Sequence, residues 1–333
     1  MNTKKIEQPQ DDFLYRPRTL NEYIGQDTIK KNLIISMKAS QNRGDCLEHI
    51  LLHGPPGLGK TSLATIVAAE MGTNLVRTTA TSIKRVIDLF SIVMTLDKGD
   101  ILFIDEIHRL DKRVEESLYS VMEDYLIQIV RGGGRNIKAV ALTCNPFTMI
   151  GATTRAGLLS KPFRDRFGMI FQFQFYSTEE LVSVILQISS HLSITISSEN
   201  AYEIAKRARG TPRIAINLVR RVRDFAVVEN EGIISLPIIE KTFKSLQIDE
   251  IGLMEQDRKI LNLLYEKDGR PLGLNTICAI LNDDRTTMEE MMEPYLLALN
   301  FIEKSHRGRS ITKEGINYLI SHGFVKERKS LLF

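Results

Sequence analysis

The sequence predicts an α/β fold with a mainly parallel sheet, followed by a small all-helical domain and a winged-helix domain. Three observations predict this order. Short apolar strands alternate with helical stretches to about residue 175, strand patterns are then absent to about residue 250, and three helices with a basic hairpin follow. Strands that alternate with helices favour a parallel sheet covered by helices on both faces.

Length, charge and cysteine usage restrict the class of protein. The 333 residues are enough for two or three domains with a substantial core. The net charge is only +3, so any surface for nucleic acid is local, and residues 300–333 carry seven Lys or Arg against three Glu. Three scattered cysteines, a polar N-terminus and no apolar run of ~20 residues favour a cytoplasmic protein with reduced thiols and no membrane segment.

The first domain, with the predicted sheet, is expected over residues 1–178. Its strands are predicted at Ile50–His53, Asp100–Asp105 and Thr148–Thr153, and its helices at Thr61–Met71 and Lys112–Asp124. A glycine-rich segment, Gly54–Thr61, follows the first strand and satisfies the spacing G-x-x-x-x-G-K-[ST]. Glycines let backbone N–H groups face a phosphate, Lys60 can reach the β- and γ-phosphates, and the Thr61 hydroxyl can bind Mg²⁺.

The alternative to this phosphate loop is a glycine-rich turn that matches by chance, which happens in about one such chain in a hundred. Paired acids at the end of the second strand argue against chance. Asp105 is expected to hold Mg²⁺ through water, and Glu106 to orient and deprotonate the attacking water. Without the phosphate loop, the same pair could simply cap the following turn. His108 and Arg109 are interpreted as surface residues without a chemical role.

Three further side chains fit phosphate chemistry. Thr154 ends the third strand and could bond the γ-phosphate or the attacking water, although a structural hydroxyl is the alternative. Arg166, in the run Arg164–Phe167, could reach a neighbouring subunit's γ-phosphate as an arginine finger, or could pair with Asp165 on the surface. Arg213 follows an N-cap Thr and Pro212 in the first turn of a helix, where a cation opposes the dipole unless an anion is near.

The helical domain is expected over residues 179–252 and the winged helix over residues 253–333. Helices of the former are predicted to start at Thr178 and to include Glu199–Ala208, Pro212–Val228 and Leu236–Leu246. The winged helix is predicted from helices Asp257–Tyr265, Leu274–Leu281 and Thr286–Leu299, with extended segments Phe301–Lys304 and Arg309–Thr312 around the turn Ser305–Gly308.

Several motifs together closely resemble the RuvB family, AAA+ ATPases that drive branch migration of four-way DNA junctions. They cover nearly the whole chain and are GPPGLGKT (54–61), DEIHR (105–109), GATTRAG (151–157), RDRFG (164–168), RARGTPRIA (207–215), EPYL (293–296) and RGR (307–309). GATTRAG with RDRFG is far more specific than the phosphate loop, which many NTPases share. One departure is Ser62, where Thr is commoner.

This resemblance implies a role for each matching residue. Thr154 would be sensor 1, Arg213 sensor 2 and Arg166 the finger that acts in trans. The nucleotide contacts would be Tyr15, Arg16, Gly57, Gly59, Lys60, Thr61, Ser62, Glu123, Asp124, Tyr125, Tyr176 and Arg213. The DNA contacts would be Arg285, Lys304, Arg307 and Arg309, directed at phosphate and therefore largely independent of sequence.

The resemblance also implies partners. Subunits would form a homo-hexameric ring around duplex DNA, use ATP and Mg²⁺, and work with a RuvA-type junction-recognition protein, with a RuvC-type resolvase in the same complex. A β-hairpin with arms Leu126–Arg131 and Asn136–Leu142 around Gly132–Gly134 would dock RuvA, with Val140 and Leu142 as apolar tip contacts. The alternative is an ordinary surface hairpin.

Two other functions fit parts of the sequence. A clamp-loader-like AAA+ switch is disfavoured because the Ser-Arg-Cys finger motif is absent and a winged helix is present. A transcription regulator that reads base sequence is disfavoured because Glu289, Glu290 and Glu293 give the predicted recognition helix Thr286–Leu299 an acidic character. Affinity for unrelated duplexes separates a regulator from a motor.

Overall fold

The computed structural model describes residues 16–131, 138–192 and 194–326. Two compact units divide the chain between Tyr176 and Ser177. The first contains the parallel sheet, and the second is helical apart from one short hairpin. In this described part of the chain, no helix combines the length and apolar character that crossing a bilayer requires.

Five parallel strands form the sheet of the first unit. The strands of this unit are β1 (Ile50–His53), β2 (Leu75–Thr79), β3 (Ile101–Asp105), β4 (Leu126–Arg131), β5 (Lys138–Thr143), β6 (Thr148–Thr153) and β7 (Met169–Gln172). The sheet has the order β2-β3-β6-β1-β7, and β4 pairs with β5 in a separate antiparallel hairpin. The predicted strands Ile50–His53 and Thr148–Thr153 are confirmed, and the predicted strand Asp100–Asp105 begins one residue later, at Ile101.

Helices cover the sheet and connect its strands. They are α1 (Asp27–Arg43), α2 (Lys60–Met71), α3 (Val86–Val93), α4 (Lys112–Asp124) and α5 (Lys161–Arg164). The predicted helix Lys112–Asp124 is confirmed, and its Leu118 belongs to one buried cluster with Leu102 of β3 and Phe163 of α5. Strands β3 and β6 are buried almost throughout, which explains why they read as continuous apolar runs in the sequence.

The strand register fixes which residues share an edge. His53 pairs with Thr153, and Asp105 with Thr79, so the polar ends of β1, β3 and β6 lie along the carboxyl edge of the sheet. At the opposite edge, Ile50 at the start of β1 pairs with Met169 at the start of β7. The two edges therefore present different sets of side chains.

The second unit begins with four helices, as the sequence predicts. They are α6 (Thr178–His191), α7 (Ser198–Lys206), α8 (Pro212–Glu229) and α9 (Leu236–Ser245). A capping box starts α6 where it was predicted to start: the Glu180 N–H donates to Ser177 Oγ at 3.1 Å, and the Ser177 N–H donates to the Glu180 carboxylate at 2.7 Å.

Five further helices, of which α12 is a single turn, and a hairpin complete the described part of the second unit. These elements are α10 (Glu255–Glu266), α11 (Leu274–Leu281), α12 (Arg285–Thr287), α13 (Glu293–Ala298), β8 (Ile302–Ser305), β9 (Gly308–Ile311) and α14 (Lys313–Ser321). The prediction of one continuous helix Thr286–Leu299 is wrong, because a π-helical turn at Met288–Met292 separates α12 from α13. Pro294 has no N–H to donate to the carbonyl of Glu290, so a regular α-helix cannot continue there.

Candidate nucleotide site and basic wing

Three glycines with positive φ shape the loop between β1 and α2. The φ angles are 141° at Gly54, 79° at Gly57 and 95° at Gly59. A Cβ at Gly59 would lie 2.5 Å from the Tyr23 hydroxyl, and one at Gly54 would lie 2.8 Å from the Phe173 carbonyl oxygen. Both conformation and space therefore require glycine, which leaves a backbone cradle that fits the phosphates of a nucleotide.

Lys60 lies over this cradle as the first residue of α2. Its side chain is buried, and the ammonium group donates to the carbonyl oxygens of Gly54 at 2.7 Å and Pro55 at 2.8 Å. Thr61 and Ser62 follow in the first turn of α2, at the partly positive end of the helix. These positions fit the phosphate and Mg²⁺ roles that the sequence predicted for them.

Gly59→Ala should impair nucleotide binding. The new Cβ meets the Tyr23 hydroxyl, and a strained positive φ costs about 1–3 kcal/mol. We therefore expect ATP affinity to fall about tenfold or more, measured by titration of a fluorescent ATP analogue. Gly157→Ala is the matched control, because nothing lies within 4 Å of the position that its new methyl group would take. Equal affinity of the two variants would contradict the cradle.

Two buried tyrosines support the loop from behind. The Tyr23 hydroxyl donates to the Leu58 carbonyl oxygen at 3.2 Å, and the Tyr176 hydroxyl lies 3.4 Å from both that oxygen and the Tyr23 hydroxyl. Burial raises the pKa of Tyr23, so its hydroxyl keeps its proton. Sequence reasoning placed Tyr176 at the nucleotide but missed Tyr23 as a support of the loop.

The acidic pair lies at the carboxyl edge of the sheet. Asp105 ends β3 and accepts the Glu106 N–H at 2.9 Å. Glu106 has the left-handed φ of 51°, which is uncommon for a residue without glycine's freedom. Because strained backbone concentrates at functional sites, this conformation fits a residue that must direct its carboxylate at a bound group.

His108 occupies a position that sequence reasoning misjudged. It was interpreted as a surface residue, but only 5% of its side chain is exposed. Its Nδ1 lies 2.9 Å from the Thr153 hydroxyl and 3.3 Å from a carboxylate oxygen of Glu106. Burial, with the charges of Arg109 and Arg155, lowers the pKa of His108 to about 4, so a neutral imidazole lies between Glu106 and the end of β6.

Thr154 follows β6 at the same edge. Its hydroxyl oxygen is buried and has no hydrogen-bond partner among the described residues. A buried hydroxyl without a hydrogen bond is unfavourable by ~1–3 kcal/mol, so we expect Thr154 to form a hydrogen bond when a ligand is bound. Its position beside β1 and β3 fits contact with a terminal phosphate or a water next to it.

Arg166 lies at the opposite edge of the sheet. It stands three residues before Met169, which pairs with Ile50 at the start of β1. Lys60 comes after the other end of β1, beyond His53. The guanidinium lies 3.2 Å from the Glu123 carboxylate and donates to the Pro162 carbonyl oxygen at 2.7 Å. Four strand residues span roughly 13 Å, so this arginine cannot reach the phosphate loop of its own chain.

The segment Glu123–Tyr125 is also far from the chain's own phosphate loop. Helix α4 runs back from the carboxyl edge, and the Met122 carbonyl oxygen lies 3.1 Å from the His49 imidazole, just before β1. The structure therefore brings Glu123 to Arg166 and not to Lys60. Asp124 ends α4, and Tyr125 follows with a left-handed φ of 54°.

Other predicted nucleotide contacts have simpler placements. The pKa of Arg77 in β2 is lowered first by burial and second by the positive charge of Arg16. Arg16 therefore lies near Arg77. Tyr15 lies outside the described residues. Arg213 is exposed in the first turn of α8, in the second unit. Thr211 occupies the N-cap position, but its hydroxyl donates to the Arg209 carbonyl oxygen at 3.1 Å and does not cap the helix as predicted.

The basic hairpin of the second unit is formed by β8 and β9, with Lys304 opposite Arg309. Arg309 is mostly buried and pairs through two nitrogens with Glu293, at 3.0 and 3.2 Å. Lys304 approaches the same carboxylate at 3.1 Å but stays half exposed, and Arg307 is exposed in the turn. Arg285 lies on α12, 3.2 Å from the Glu289 carboxylate.

This arrangement changes the interpretation of the acidic helix. Glu293 is 4% exposed and pairs with Arg309 of the hairpin, so it adds nothing to an acidic surface. The prediction that Glu293 adds to the acidic character of a recognition helix is therefore wrong. Lys304 and Arg307 keep their charges accessible to a phosphate backbone, while Arg309 holds the turn end of the hairpin to Glu293 of α13.

Lys304→Ala combined with Arg307→Ala should weaken binding to duplex DNA. Each lost phosphate contact lowers the slope of log affinity against log salt by about 1, so we expect a loss of about 2 in slope. Fluorescence anisotropy across a salt series measures it. Lys241→Ala, which removes an exposed lysine of α9, is the control. Arg309→Ala is avoided because it leaves the buried Glu293 without its main partner.

The hairpin β4–β5 carries the predicted partner contacts. Leu142 is exposed and pairs with Ile127, next to the end that joins the body of the unit. Val140 pairs with Ile129 along the same strand. Both residues therefore lie along the second strand and not at the tip as predicted; the segment Gly132–Gly134 lies outside the described residues.

Three family models match successive parts of the chain. They are the Holliday junction DNA helicase RuvB P-loop domain over residues 15–173, the RuvB AAA lid domain over residues 176–249 and the RuvB C-terminal winged helix domain over residues 250–320. Together these matches span most of the sequence.

Relatives that match over most of their own length agree with these family models. Two of those named Holliday junction branch migration complex subunit RuvB come from Sulfurimonas denitrificans and Helicobacter hepaticus. The one from Sulfurimonas denitrificans is 51% identical over 89% of this chain and 88% of its own, and the one from Helicobacter hepaticus is 46% identical over 95% and 96%. Among solved structures, the Thermotoga maritima RuvB Holliday junction branch migration motor is similar with a TM-score of 0.84 and 43% identity, covering 95% of this chain and all of that one.

Proposed function

The chain belongs to the RuvB family of Holliday-junction branch-migration motors, and we propose that its ATP hydrolysis is performed by Lys60, Asp105, Glu106 and Thr154, with Arg166 of a neighbouring copy. It is an ATP-dependent motor of branch migration. The observation that carries the residue assignment is the shared carboxyl edge, where the phosphate loop, the acidic pair and the buried Thr154 hydroxyl follow neighbouring strands.

The phosphates of ATP bind in the cradle between β1 and α2. Backbone N–H groups and Lys60 neutralise them, with Thr61 and Ser62 at the helix start. A hydroxyl and a carboxylate are hard oxygen donors, so Thr61 and Asp105 fit Mg²⁺, which would supply charge neutralisation at the β- and γ-phosphate oxygens.

Glu106 acts as the general base. It orients the attacking water and takes its proton, and the buried His108 imidazole lies beside its carboxylate on the side of Thr153. Thr154 bonds the γ-phosphate or that water. When the terminal phosphate leaves, these contacts are lost. From its motif, Arg213 at the start of α8 is proposed as the second phosphate sensor.

We propose that the active form is a ring. Arg166 and Glu123 lie at the edge of the sheet away from Lys60, so a complete site needs the edge of a second copy. Glu123, Asp124 and Tyr125 would then contact the neighbour's nucleotide beside Arg166. A head-to-tail interface of this kind closes into a ring, and a homo-hexamer around duplex DNA is the form we propose.

We further propose three domains with the boundaries 178/179 and 252/253, and a DNA grip made by the third. Arg285, Lys304 and Arg307 would contact phosphate oxygens, with Arg309 as the support of the wing. Such contacts are independent of base sequence, as a translocating motor requires.

We also propose a cytoplasmic location, because a motor that uses ATP to move DNA acts where both are present.

The hairpin β4–β5 is the proposed docking site for a RuvA-type partner. Leu142 is an exposed apolar side chain on a two-stranded hairpin that stands apart from the main sheet. An apolar residue at such a place fits a protein contact. A RuvC-type resolvase would join the same complex on the junction.

A four-way junction assay tests the function. Purified chain, ATP and Mg²⁺ are mixed with a labelled synthetic four-way junction, with and without a RuvA-type protein, and dissociation into duplexes is followed on a native gel. We expect dissociation that depends on ATP hydrolysis and increases with the partner. A clamp-loader-like switch or a sequence-reading regulator would bind without dissociating the junction, and that result would refute the assignment.

A further inference from the structure

Arg209 lies in the short connection between α7 and α8, four residues before Arg213. It has the left-handed φ of 55° and is 7% exposed. Gly210 and Thr211 are all that separate it from Pro212, the first residue of α8. A change in the position of the α8 start therefore moves Arg209 with it.

The Arg209 guanidinium binds three parts of the winged helix. Two of its nitrogens donate to the Asp257 carboxylate at 3.1 and 3.2 Å, and one lies 3.4 Å from the Met291 carbonyl oxygen. The Tyr295 ring lies beneath it, 4.7 Å from ring centre to guanidinium carbon. One side chain thus holds the start of α10, the π-helical turn and α13.

The segment between the two domains is held as well. Gly252 has a φ of 84°, and a Cβ there would lie 2.5 Å from the Arg207 carbonyl oxygen. The Tyr295 hydroxyl donates to the Ile251 carbonyl oxygen at 2.6 Å, and Arg258 of α10 donates to the Gln247 carbonyl oxygen at 3.0 Å. Because the backbones are this close, the connection does not behave as a free linker.

The same helix carries the contact onward to the wing. Glu293 begins α13, two residues before Tyr295, and its carboxylate binds Arg309 and Lys304. The contacts of Arg209 therefore reach α13 at Tyr295, and the first residue of the same helix binds the basic hairpin.

Stability alone does not explain the buried pair. Desolvation of two buried ions offsets much of their attraction, and apolar pairs of similar volume are often as stable or more so. Burial raises the pKa of Asp257 even beside Arg209, which marks the environment as unfavourable for charge. An arginine that makes two hydrogen bonds to one carboxylate fixes the relative orientation of the two groups, which an apolar contact does not do.

We propose that Arg209 is a positioning residue that couples nucleotide sensing to the DNA grip, by fixing the winged helix to the start of α8. The proposal rests on the function proposed above, in which Arg213 senses the γ-phosphate and the wing holds DNA. When α8 moves on phosphate release, the contacts of Arg209 with Asp257 and Tyr295 make α10 and α13 move with it. Neither Arg209 nor Asp257 takes part in hydrolysis or contacts DNA.

The test replaces the ion pair with an apolar pair of similar volume, Arg209→Met with Asp257→Leu. We expect basal ATPase activity and duplex binding to change less than about twofold, since both sites are intact. The extra ATPase activity that DNA induces, and the rate of junction dissociation, should fall by roughly 5–150-fold, the usual range of a coupling between sites. Lys259→Ala, which breaks the exposed pair with Glu255 on α10, should change none of these.

A thermal melt shows whether the double variant folds. If it does not, Arg209→Lys replaces it, because lysine keeps the charge but loses the fork, and it should lose most of the DNA stimulation while the half-activating DNA concentration stays the same. A folded variant that dissociates junctions at the wild-type rate overturns the inference and leaves the proposed function intact. Failure of the wild-type chain to dissociate junctions overturns the proposed function instead.

Discussion

Arg166→Ala should lower ATP turnover by ~10³–10⁵, the usual contribution of an arginine finger, while ATP still binds. The reason is geometric: Arg166 lies at the edge of the sheet opposite Lys60, so its loss leaves the variant's own cradle intact and disables the neighbour's site. Turnover is measured by phosphate release, and ATP binding by titration. Little change in stability is expected, since the paired Glu123 side chain is 55% exposed and remains solvated.

Arg164→Ala is the matched control, because Arg164 is the other arginine of the same motif, two residues away. It should retain most of its turnover. If Arg164→Ala loses turnover and Arg166→Ala keeps it, the finger has been assigned to the wrong arginine.

Glu106→Gln should lower turnover by about 10²–10⁴, the usual contribution of a general base. Glutamine has the same shape but cannot take the proton of the attacking water, so ATP binding should be kept. Single-turnover assays on prebound ATP measure the chemical step directly. Glu116→Gln, an exposed glutamate on α4, is the control. Turnover above about a tenth of wild type would show that another group activates the water.

Mixing the two inactive variants gives a sharper test of action in trans. At an interface where the Arg166→Ala chain supplies the cradle and the Glu106→Gln chain supplies Arg166, every catalytic group is present. We therefore expect the mixture to regain measurable ATP hydrolysis that neither variant shows alone. A mixture as inactive as its components would place the finger in its own chain's site, against the geometry of the sheet.

The linear sequence was sufficient for the phosphate cradle. Glycine at Gly54 and Gly59 is dictated by backbone conformation, and a strand of consecutive apolar residues before Asp105 is dictated by burial on both faces. Such signals are local, because each depends on residues a few positions apart. The same is true of the capping box that starts α6.

Sequence reasoning failed where a side chain's environment is supplied by distant parts of the chain. His108 was expected at the surface but packs against Thr153, 45 residues away. Glu293 was expected to face solvent but pairs with Arg309 of the wing. In both cases the residue type allows either environment, so only packing decides between them.

By itself, the sequence determined the fold class, the order of the domains and the chemistry of the cradle, because periodicity, turn residues and motif spacing are properties of short segments. Only the tertiary structure decided that Lys60 and Arg166 lie at opposite edges of one sheet, and that Arg209 binds Asp257, 48 residues further on. The physical reason is that strand register and helix packing set these distances, and both depend on contacts between residues far apart in the chain.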